Sequence, residues 1–286
     1  MQVAKLFKPS FIYNYLKLIR GVNLFIVALT QYLTALFLLS NRGDRYSIFS
    51  DFQFFLLVSA TVMITSAGYL INDYYDVKID FVNKPDRVVV GKQLKRRWVI
   101  FGHTVLNLTS IAFGFYISNT VGIIMFGSAF MLWLYSNQLK RLPFIGNFVV
   151  AVLTGTTLIL VAEYFQQRAF IIACYAIFAA YITLIREIIK DTEDMKGDAR
   201  FGCKTIPIVL GIAKTKWVIY AIMIAFEITV IILLWNLSWI LPLILAITLL
   251  LLAMGVHKAD TIKQFHRLST YCKIIMLLGV LSMIWI

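Results

Sequence analysis

Nine long apolar runs are the feature that most constrains the fold of this chain. A hydrocarbon core of roughly 30 Å needs about 20 residues of largely apolar helix to cross it. The sequence therefore predicts an all-α polytopic membrane protein, with nine transmembrane helices in a single domain over residues 1–286. The predicted spans are Val22–Leu39, Phe52–Ile71, Trp98–Ile117, Thr120–Tyr135, Gly146–Phe165, Ala169–Ile189, Trp217–Leu234, Trp239–Gly255 and Tyr271–Ile286.

The composition agrees with this class and argues against a nucleic-acid-binding protein. Hydrophobic residues make up 60% of the chain and charged residues only 14%, whereas a soluble domain has about a quarter charged residues. The net charge is +13, but the basic residues lie between the apolar runs, as in loops that face anionic lipid. Cys174, Cys203 and Cys272 lie far apart and are interpreted as packing residues, and no protein partner is implied.

The distribution of basic residues predicts the orientation. With nine spans, 24 of the 27 Lys and Arg residues lie in or beside segments on the side of the N-terminus. The opposite side has Arg42, Arg45 and Arg168. Because cytoplasmic loops carry the excess of Lys and Arg, we expect a cytoplasmic N-terminus, an inner or plasma membrane location, and an active site toward the cytoplasm.

The acidic residues are concentrated in two short stretches. Nine of the 14 Asp and Glu residues lie after the second predicted span or at and after the end of the sixth, and both stretches are expected on the cytoplasmic side. The first stretch is "NDYYDVKIDFVNKPDR" (72–87), and the second is "REIIKDTEDMKGDARFGCK" (186–204).

The same three-acid spacing occurs in both stretches. Asp73, Asp76 and Asp80 are separated by three and four residues, as are Asp191, Asp194 and Asp198. On a helix these positions share one face, and Glu187 extends the second stripe by one turn. Such like charges repel one another unless a cation lies among them. Two similar halves in a parallel repeat are therefore predicted.

Oxygen ligands in this number suit Mg²⁺, which commonly binds through one or two carboxylates together with substrate phosphates. Basic residues on the same predicted side could bind the remaining phosphate charge; they are Lys84, Arg87, Lys92, Lys140, Arg141 and Lys204. Acids and bases beside a bilayer fit a diphosphate head on a lipid tail. Glu227, midway along the seventh span, would be an intramembrane acid, but the sequence gives it no evident partner.

The two aspartate motifs make the sequence resemble the UbiA superfamily of intramembrane prenyltransferases. The first stretch matches the pattern N-D-x-x-D-x-x-x-D, and "REIIKDTEDMKGD" matches the second aspartate motif after helix 6. Further similarity lies in "LIRGVNLFIVALTQYL" and "YSNQLKRLPFIGN". The second motif is most similar to the branch that joins a geranylgeranyl group to a glycerol-phosphate ether lipid.

The resemblance implies a Mg²⁺-dependent transferase that acts on a polyprenyl diphosphate and a lipophilic acceptor. It implies that Asp73, Asp76, Asp191 and Asp194 are catalytic. The metal ligands would be Asp73, Asp76, Asp80, Asp191, Asp194 and Asp198. The residues expected to bind substrate are Asn23, Tyr69, Asn72, Arg87, Tyr135, Lys140 and Lys204. Tyr69, Tyr74 and Tyr135 could shelter a developing carbocation.

The sequence departs from the superfamily at three places, and these affect the expected acceptor. Lys84 replaces an arginine, "RVVVGKQL" (87–94) replaces an Arg-Pro-rich stretch, and Gly21 replaces a proline. The alternative acceptor is an aromatic quinone precursor. The alternative from another class is a secondary transporter or cation channel, in which acids near the membrane midplane would be expected.

Overall fold

The computed structural model describes residues 9–39, 47–234 and 239–285, and α-helices form most of this part of the chain. Two short helices accompany nine longer ones. The helices are α1 (Pro9–Leu18), α2 (Gly21–Leu33, continued by a π-helical turn over Thr34–Leu39), α3 (Ser47–Ser50), α4 (Phe52–Asn83), α5 (Arg96–Ile117), α6 (Asn119–Asn137), α7 (Ile145–Phe165), α8 (Ala169–Arg200), α9 (Ile206–Leu234), α10 (Ile240–Lys258) and α11 (Ile262–Leu281).

Nine helices in the described ranges are long and apolar enough to cross a membrane. The predicted all-α, nine-span fold class is therefore confirmed, and the chain is an integral, multi-pass membrane protein.

Several helices extend beyond the predicted spans. In particular, α4 continues past Ile71 to Asn83 and α8 continues past Ile189 to Arg200. Hydropathy marks only the apolar part of a helix, whereas these polar turns remain helical. The predicted last span ended at Ile286, which lies outside the described residues.

The first compact unit comprises the described part of Met1–Leu139 together with Glu163–Gln167. Its central helix is α4, which packs against α2, α5 and α6. Buried polar side chains join these helices: Gln31 Nε2 donates to Thr61 Oγ1 at 3.1 Å, and Ser110 Oγ donates to the Ala60 carbonyl at 2.8 Å. Such interhelical hydrogen bonds are a recurring means of association inside membranes, where lipid supplies no hydrophobic drive.

The second compact unit comprises Lys140–Ala162 and the described part of Arg168–Ile286. Its central helix is α8, which packs against α9 and α11, with Ile185, Ile188 and Ile189 fully buried. A Cβ atom at Gly155 would lie 2.9 Å from the carbonyl oxygen of Ala176. Glycine therefore permits the close approach of α7 to α8, as small residues commonly do between membrane helices.

Helix α9 is broken near its start. Gly211 has φ 77° and ψ 164°, a conformation that is open essentially to glycine alone. A short helical segment therefore precedes Gly211, and the longer part of α9 follows it.

Asp51 stabilises the first turn of α4. Its side-chain Oδ1 accepts a hydrogen bond from the Phe54 backbone N–H at 3.0 Å, which is an N-cap interaction. The Tyr164 hydroxyl donates to the two oxygens of the same carboxylate at 2.9 and 2.8 Å. Asp51 thus joins the start of α4 to the end of α7 within the first unit.

We predict that Asp51→Ala destabilises the first unit by about 2 kcal/mol, because an N-cap contributes about 1 kcal/mol and a hydrogen bond about as much. The control, Tyr164→Phe, removes only the second interaction and should cost about half. Thermal unfolding in detergent, followed by circular dichroism at 222 nm, measures both changes. Equal losses in the two variants would show that the cap contributes nothing.

Candidate active site

The first aspartate motif lies on the polar extension of α4. The helix is continuous through Asp73, Asp76 and Asp80, so the three carboxylates share one face, as the spacing predicted. All three are half-buried. Asp73 is within electrostatic range of Asp76, and the Asn72 side chain hydrogen bonds to the Asp73 carboxylate.

Arg20 pairs with the first carboxylate of this motif. Its Nη2 donates to Asp73 Oδ1 at 3.0 Å, and its guanidinium lies 4.7 Å from the centre of the Tyr69 ring. The backbone of Arg20 has φ 56° and ψ 57°, a left-handed conformation that costs a non-glycine residue roughly 1–2 kcal/mol. A strained residue held in a charged cluster is a common property of functional sites.

Two predicted substrate-binding residues meet beside Arg20. Asn23 Nδ2 donates to the Tyr69 hydroxyl at 3.2 Å. Arg20, Asn23 and Tyr69 therefore form one cluster with Asp73. Arg20 was not assigned from sequence, although it lies directly before α2 within "LIRGVNLF".

The segment after α4 is anchored by an apolar cluster. Val89 and Val90 are buried with Leu18, Leu70, Leu94 and Val99. A turn at Gly91, with φ 84°, brings the chain back, and the Gly91 N–H donates to the Leu94 carbonyl at 2.8 Å. The unusual "VVVGKQL" stretch thus has a packing function in this unit.

The basic residues of this segment have separate positions. Lys92 Nζ donates to the Pro85 carbonyl at 3.0 Å. The Arg96 guanidinium lies 4.6 Å from the centre of the Tyr74 ring and donates to the Tyr74 carbonyl. The side chain of Arg87, predicted to bind substrate, lies outside the described residues. Asp86 is exposed in the turn Pro85–Arg87.

The second aspartate motif lies on the polar extension of α8. The helix is continuous through Asp191, Asp194 and Asp198, so these three positions lie on one face of it. Asp191 Oδ2 accepts a hydrogen bond from Asn147 Nδ2 at 2.8 Å, and Asn147 is buried. Asn147 was also not assigned from sequence, although it ends the stretch "YSNQLKRLPFIGN".

Cations of the same helix surround the second motif. Arg186 forms an ion pair with Glu187, which is buried. Lys190 Nζ lies 3.9 Å from Glu187 Oε2 and 4.0 Å from Asp194 Oδ2. The repulsion expected between these carboxylates is therefore partly balanced by Arg186 and Lys190.

Two of the basic residues predicted to bind phosphate are joined through the backbone. The Lys204 N–H donates to the Arg141 carbonyl at 2.7 Å. Arg141 belongs to the short turn Leu139–Arg141, in which Lys140 is half-buried. The segments before α7 and after α8 are thus held together.

Two further residues singled out from the sequence lie elsewhere. Tyr135 is half-buried near the end of α6 in the first unit. Glu227 lies on α9, and its Oε2 is buried with no hydrogen-bond partner in the described part of the chain.

The chemistry of both motifs fits Mg²⁺. Within the described ranges, no group of three or more His, Cys, Asp or Glu side chains forms a complete protein site for a metal ion. Mg²⁺ does not require one, because it usually keeps several waters and binds through one or two carboxylates plus phosphate oxygens. The carboxylates on the polar ends of α4 and α8 are ligands of the kind it prefers.

Comparison with known proteins identifies the class. The model of the UbiA prenyltransferase family matches residues 12–277, so the chain belongs to this family and is a prenyltransferase.

Two relatives indicate the branch of the family. The chain is 32% identical to the digeranylgeranylglyceryl phosphate synthase of Methanococcoides burtonii over 209 residues, which cover 72% of this chain and 74% of the relative. It is 31% identical to the protein of the same name from Methanobrevibacter smithii over 245 residues, which cover 81% and 86%.

Solved structures share the fold. One concerns digeranylgeranylglyceryl phosphate synthase in membranes; it superposes with a TM-score of 0.71 at 23% identity and covers 96% of this chain and 97% of that chain. Another is a UbiA homologue from Archaeoglobus fulgidus bound to DMAPP and Mg²⁺, with a TM-score of 0.64 at 15% identity and coverage of 96% and 99%.

We predict that Arg20→Ala lowers kcat/KM for the prenyl diphosphate by about tenfold or more. The variant loses the hydrogen bond to the Asp73 carboxylate, and a hydrogen bond to a charged group contributes about 1.5–3 kcal/mol. The matched control is Arg96→Ala, which removes a similar stacking contact with a tyrosine, that of Tyr74, and should change kcat/KM by less than about threefold. Steady-state kinetics of both variants provides the test. Equal losses would mean that Arg20 acts only through stacking.

Proposed function

We propose that this prenyltransferase moves a geranylgeranyl group from its diphosphate to the hydroxyl of a glycerol-phosphate ether lipid in a Mg²⁺-dependent reaction. The observation that carries the proposal is the pair of carboxylate stripes on the polar ends of α4 and α8. The names of the relatives support the choice of acceptor.

The aspartates would be the metal ligands. In the first unit these are Asp73, Asp76 and Asp80 on α4, and in the second unit they are Asp191, Asp194 and Asp198 on α8. Bound Mg²⁺ supplies Lewis-acid stabilisation of the negative charge that develops on the leaving diphosphate. We assign the catalytic role to Asp73, Asp76, Asp191 and Asp194.

Basic and polar side chains would bind the diphosphate directly. Arg20 donates to Asp73 at 3.0 Å, which places its guanidinium beside that carboxylate, and the planar fork of a guanidinium suits phosphate oxygens. We assign the same task to Arg87, Lys140 and Lys204, and Asn72 and Asn23 would orient the groups around them. Such preorganised donors stabilise charge as it forms.

Aromatic side chains would stabilise the allylic carbon as the C1–O bond to diphosphate breaks. Arg20 lies over one face of Tyr69 and Arg96 over one face of Tyr74. A carbocation would therefore use the opposite face of these rings, or the ring of Tyr135. The surrounding apolar helices would keep water from capturing the cation.

The acceptor then forms the new bond. Its hydroxyl oxygen bonds to C1 as the C1–O bond to diphosphate breaks, the electron pair of that bond leaves with diphosphate, and the hydroxyl proton passes to the released diphosphate or to water as the ether forms. An aromatic acceptor would instead form a C–C bond and lose a ring proton.

Replacing one metal ligand in either motif tests the proposed site. Asp73→Asn and Asp191→Asn should each lower the transfer rate by at least about 100-fold, because each removes charge that holds the cation at the leaving group. The controls are Asp86→Asn and Asp260→Asn, of which the second removes a salt bridge to Lys216. They should retain most of the activity. Full activity in an Asp73→Ala, Asp191→Ala double variant would refute the metal site.

Product analysis tests the substrates. The purified protein in nanodiscs is incubated with radiolabelled geranylgeranyl diphosphate, Mg²⁺ and either geranylgeranylglyceryl phosphate or 4-hydroxybenzoate. We expect a labelled ether lipid and released diphosphate, both abolished by EDTA. A prenylated benzoate would assign the aromatic acceptor, and absence of diphosphate release with either acceptor would refute both proposed acceptors.

We further propose that the N-terminus and both aspartate motifs face the cytoplasm of an inner or plasma membrane. In this orientation, 24 of the 27 basic residues lie in or beside cytoplasmic segments. Lys95 and Gln167 are exposed and would lie on opposite sides of the membrane. A membrane-impermeant maleimide added to right-side-out vesicles should label Gln167→Cys and not Lys95→Cys. The reverse result would invert the orientation.

A further inference from the structure

The hydrogen bond between Asn147 and Asp191 joins the start of α7 to the second aspartate motif. The donor is Asn147 Nδ2, the acceptor is Asp191 Oδ2, and the atoms are 2.8 Å apart. Asn147 is only 7% exposed, so its amide has little access to water. The contact is therefore a buried interhelical hydrogen bond within the second unit.

The surroundings of Asp191 make this donor important. Glu187 and Asp198 lie close enough to repel its charge, and Lys190 lies close enough to attract it. Without a donor in a fixed position, these charges would draw the Asp191 carboxylate toward Lys190. The Asn147 amide is neutral, so it holds one oxygen of Asp191 without competing with a metal ion for the negative charge. An ionised carboxylate has about four lone-pair sites, so acceptor sites remain for a metal or a water.

The start of α7 is itself held firmly. Phe144 has φ 66° and precedes the helix, and its carbonyl accepts the Phe148 N–H at 2.9 Å. The hydrogen bond from the Lys204 backbone N–H to the Arg141 carbonyl, at 2.7 Å, joins the segment before α7 to the segment after α8. Asn147 thus projects from a segment that is attached to the end of the second motif as well as to its beginning.

We infer that Asn147 is a positioning residue that sets the orientation of the Asp191 carboxylate for the divalent cation. This inference rests on the proposed function, because it assumes that Asp191 is a metal ligand. When a group that hydrogen bonds to a metal ligand is removed, metal affinity typically falls by about 10–100-fold. A purely structural hydrogen bond would change stability and leave metal affinity unchanged.

The test measures metal binding independently of turnover. Mn²⁺ binding to the protein in nanodiscs is followed by electron paramagnetic resonance, alone and with geranylgeranyl S-thiolodiphosphate, an unreactive donor analogue. Asn147→Leu keeps a similar side-chain volume and removes the donor. We expect its Mn²⁺ Kd to rise about tenfold, with kcat at saturating Mg²⁺ changed by less than about threefold.

The matched control is Tyr181→Phe. The Tyr181 hydroxyl bonds the Thr229 hydroxyl at 3.1 Å between α8 and α9. This substitution also removes one interhelical hydrogen bond from α8, about 15 Å from Asp191 along the helix. Its Mn²⁺ Kd should match that of the wild type. Cys174, Cys203 and Cys272 are buried free thiols in this unit, so their reactivity on heating reports unfolding of each variant.

A second variant covers the case in which Asn147→Leu does not fold. Asn147→Ser is too short to reach Asp191, and its hydroxyl can bond to its own helix backbone. It should also raise the Mn²⁺ Kd about tenfold. An Mn²⁺ Kd within twofold of wild type in the folded variant would overturn the inference, whatever its stability. An equal rise in Tyr181→Phe would also overturn it.

The same measurements separate this inference from the proposed function. If the wild type binds no Mn²⁺ with the donor analogue, the proposed metal site is wrong. If the wild type binds Mn²⁺ and Asp191→Asn binds it much more weakly, the metal site is supported. An unchanged Kd in Asn147→Leu would then refute the positioning role alone.

Discussion

Ionised carboxylates are costly inside hydrocarbon, and the architecture depends on how the chain keeps those of the two aspartate motifs outside it. Helices α4 and α8 each have 32 residues, which corresponds to roughly 48 Å at 1.5 Å per residue. The hydrocarbon core is roughly 30 Å thick. About three turns of each helix can therefore project beyond it. The aspartates lie in these turns, so a rigid helix that is anchored in the membrane determines their positions.

The structure also shows how repulsion within each motif is reduced. The spacing of the aspartates suggested that a metal would have to balance them. However, the protein already supplies cations and neutral donors. Arg20 and Asn72 contact Asp73, Asn147 contacts Asp191, and Lys190 lies near Glu187 and Asp194. A metal ion at either motif would therefore meet carboxylates that are already partly neutralised, and its affinity would depend on how the residues around that motif rearrange.

The sequence predicted those features that depend on local spacing. The nine spans and the shared faces of Asp73, Asp76 and Asp80 follow from helical periodicity and apolar length. The ends of α4 and α8 could not be found from hydropathy, because their last turns are polar. Arg20 and Asn147 were missed for another reason: they meet their aspartates across 53 and 44 residues. No local pattern encodes such contacts.

The link between Lys204 and Arg141 uses only main-chain atoms, an N–H and a carbonyl 2.7 Å apart. Most side chains can therefore be exchanged at these two positions without breaking it. The charge and size of the groups displayed there can diverge during evolution while the loops keep their path. A designer could therefore vary both positions in a library at little risk to folding.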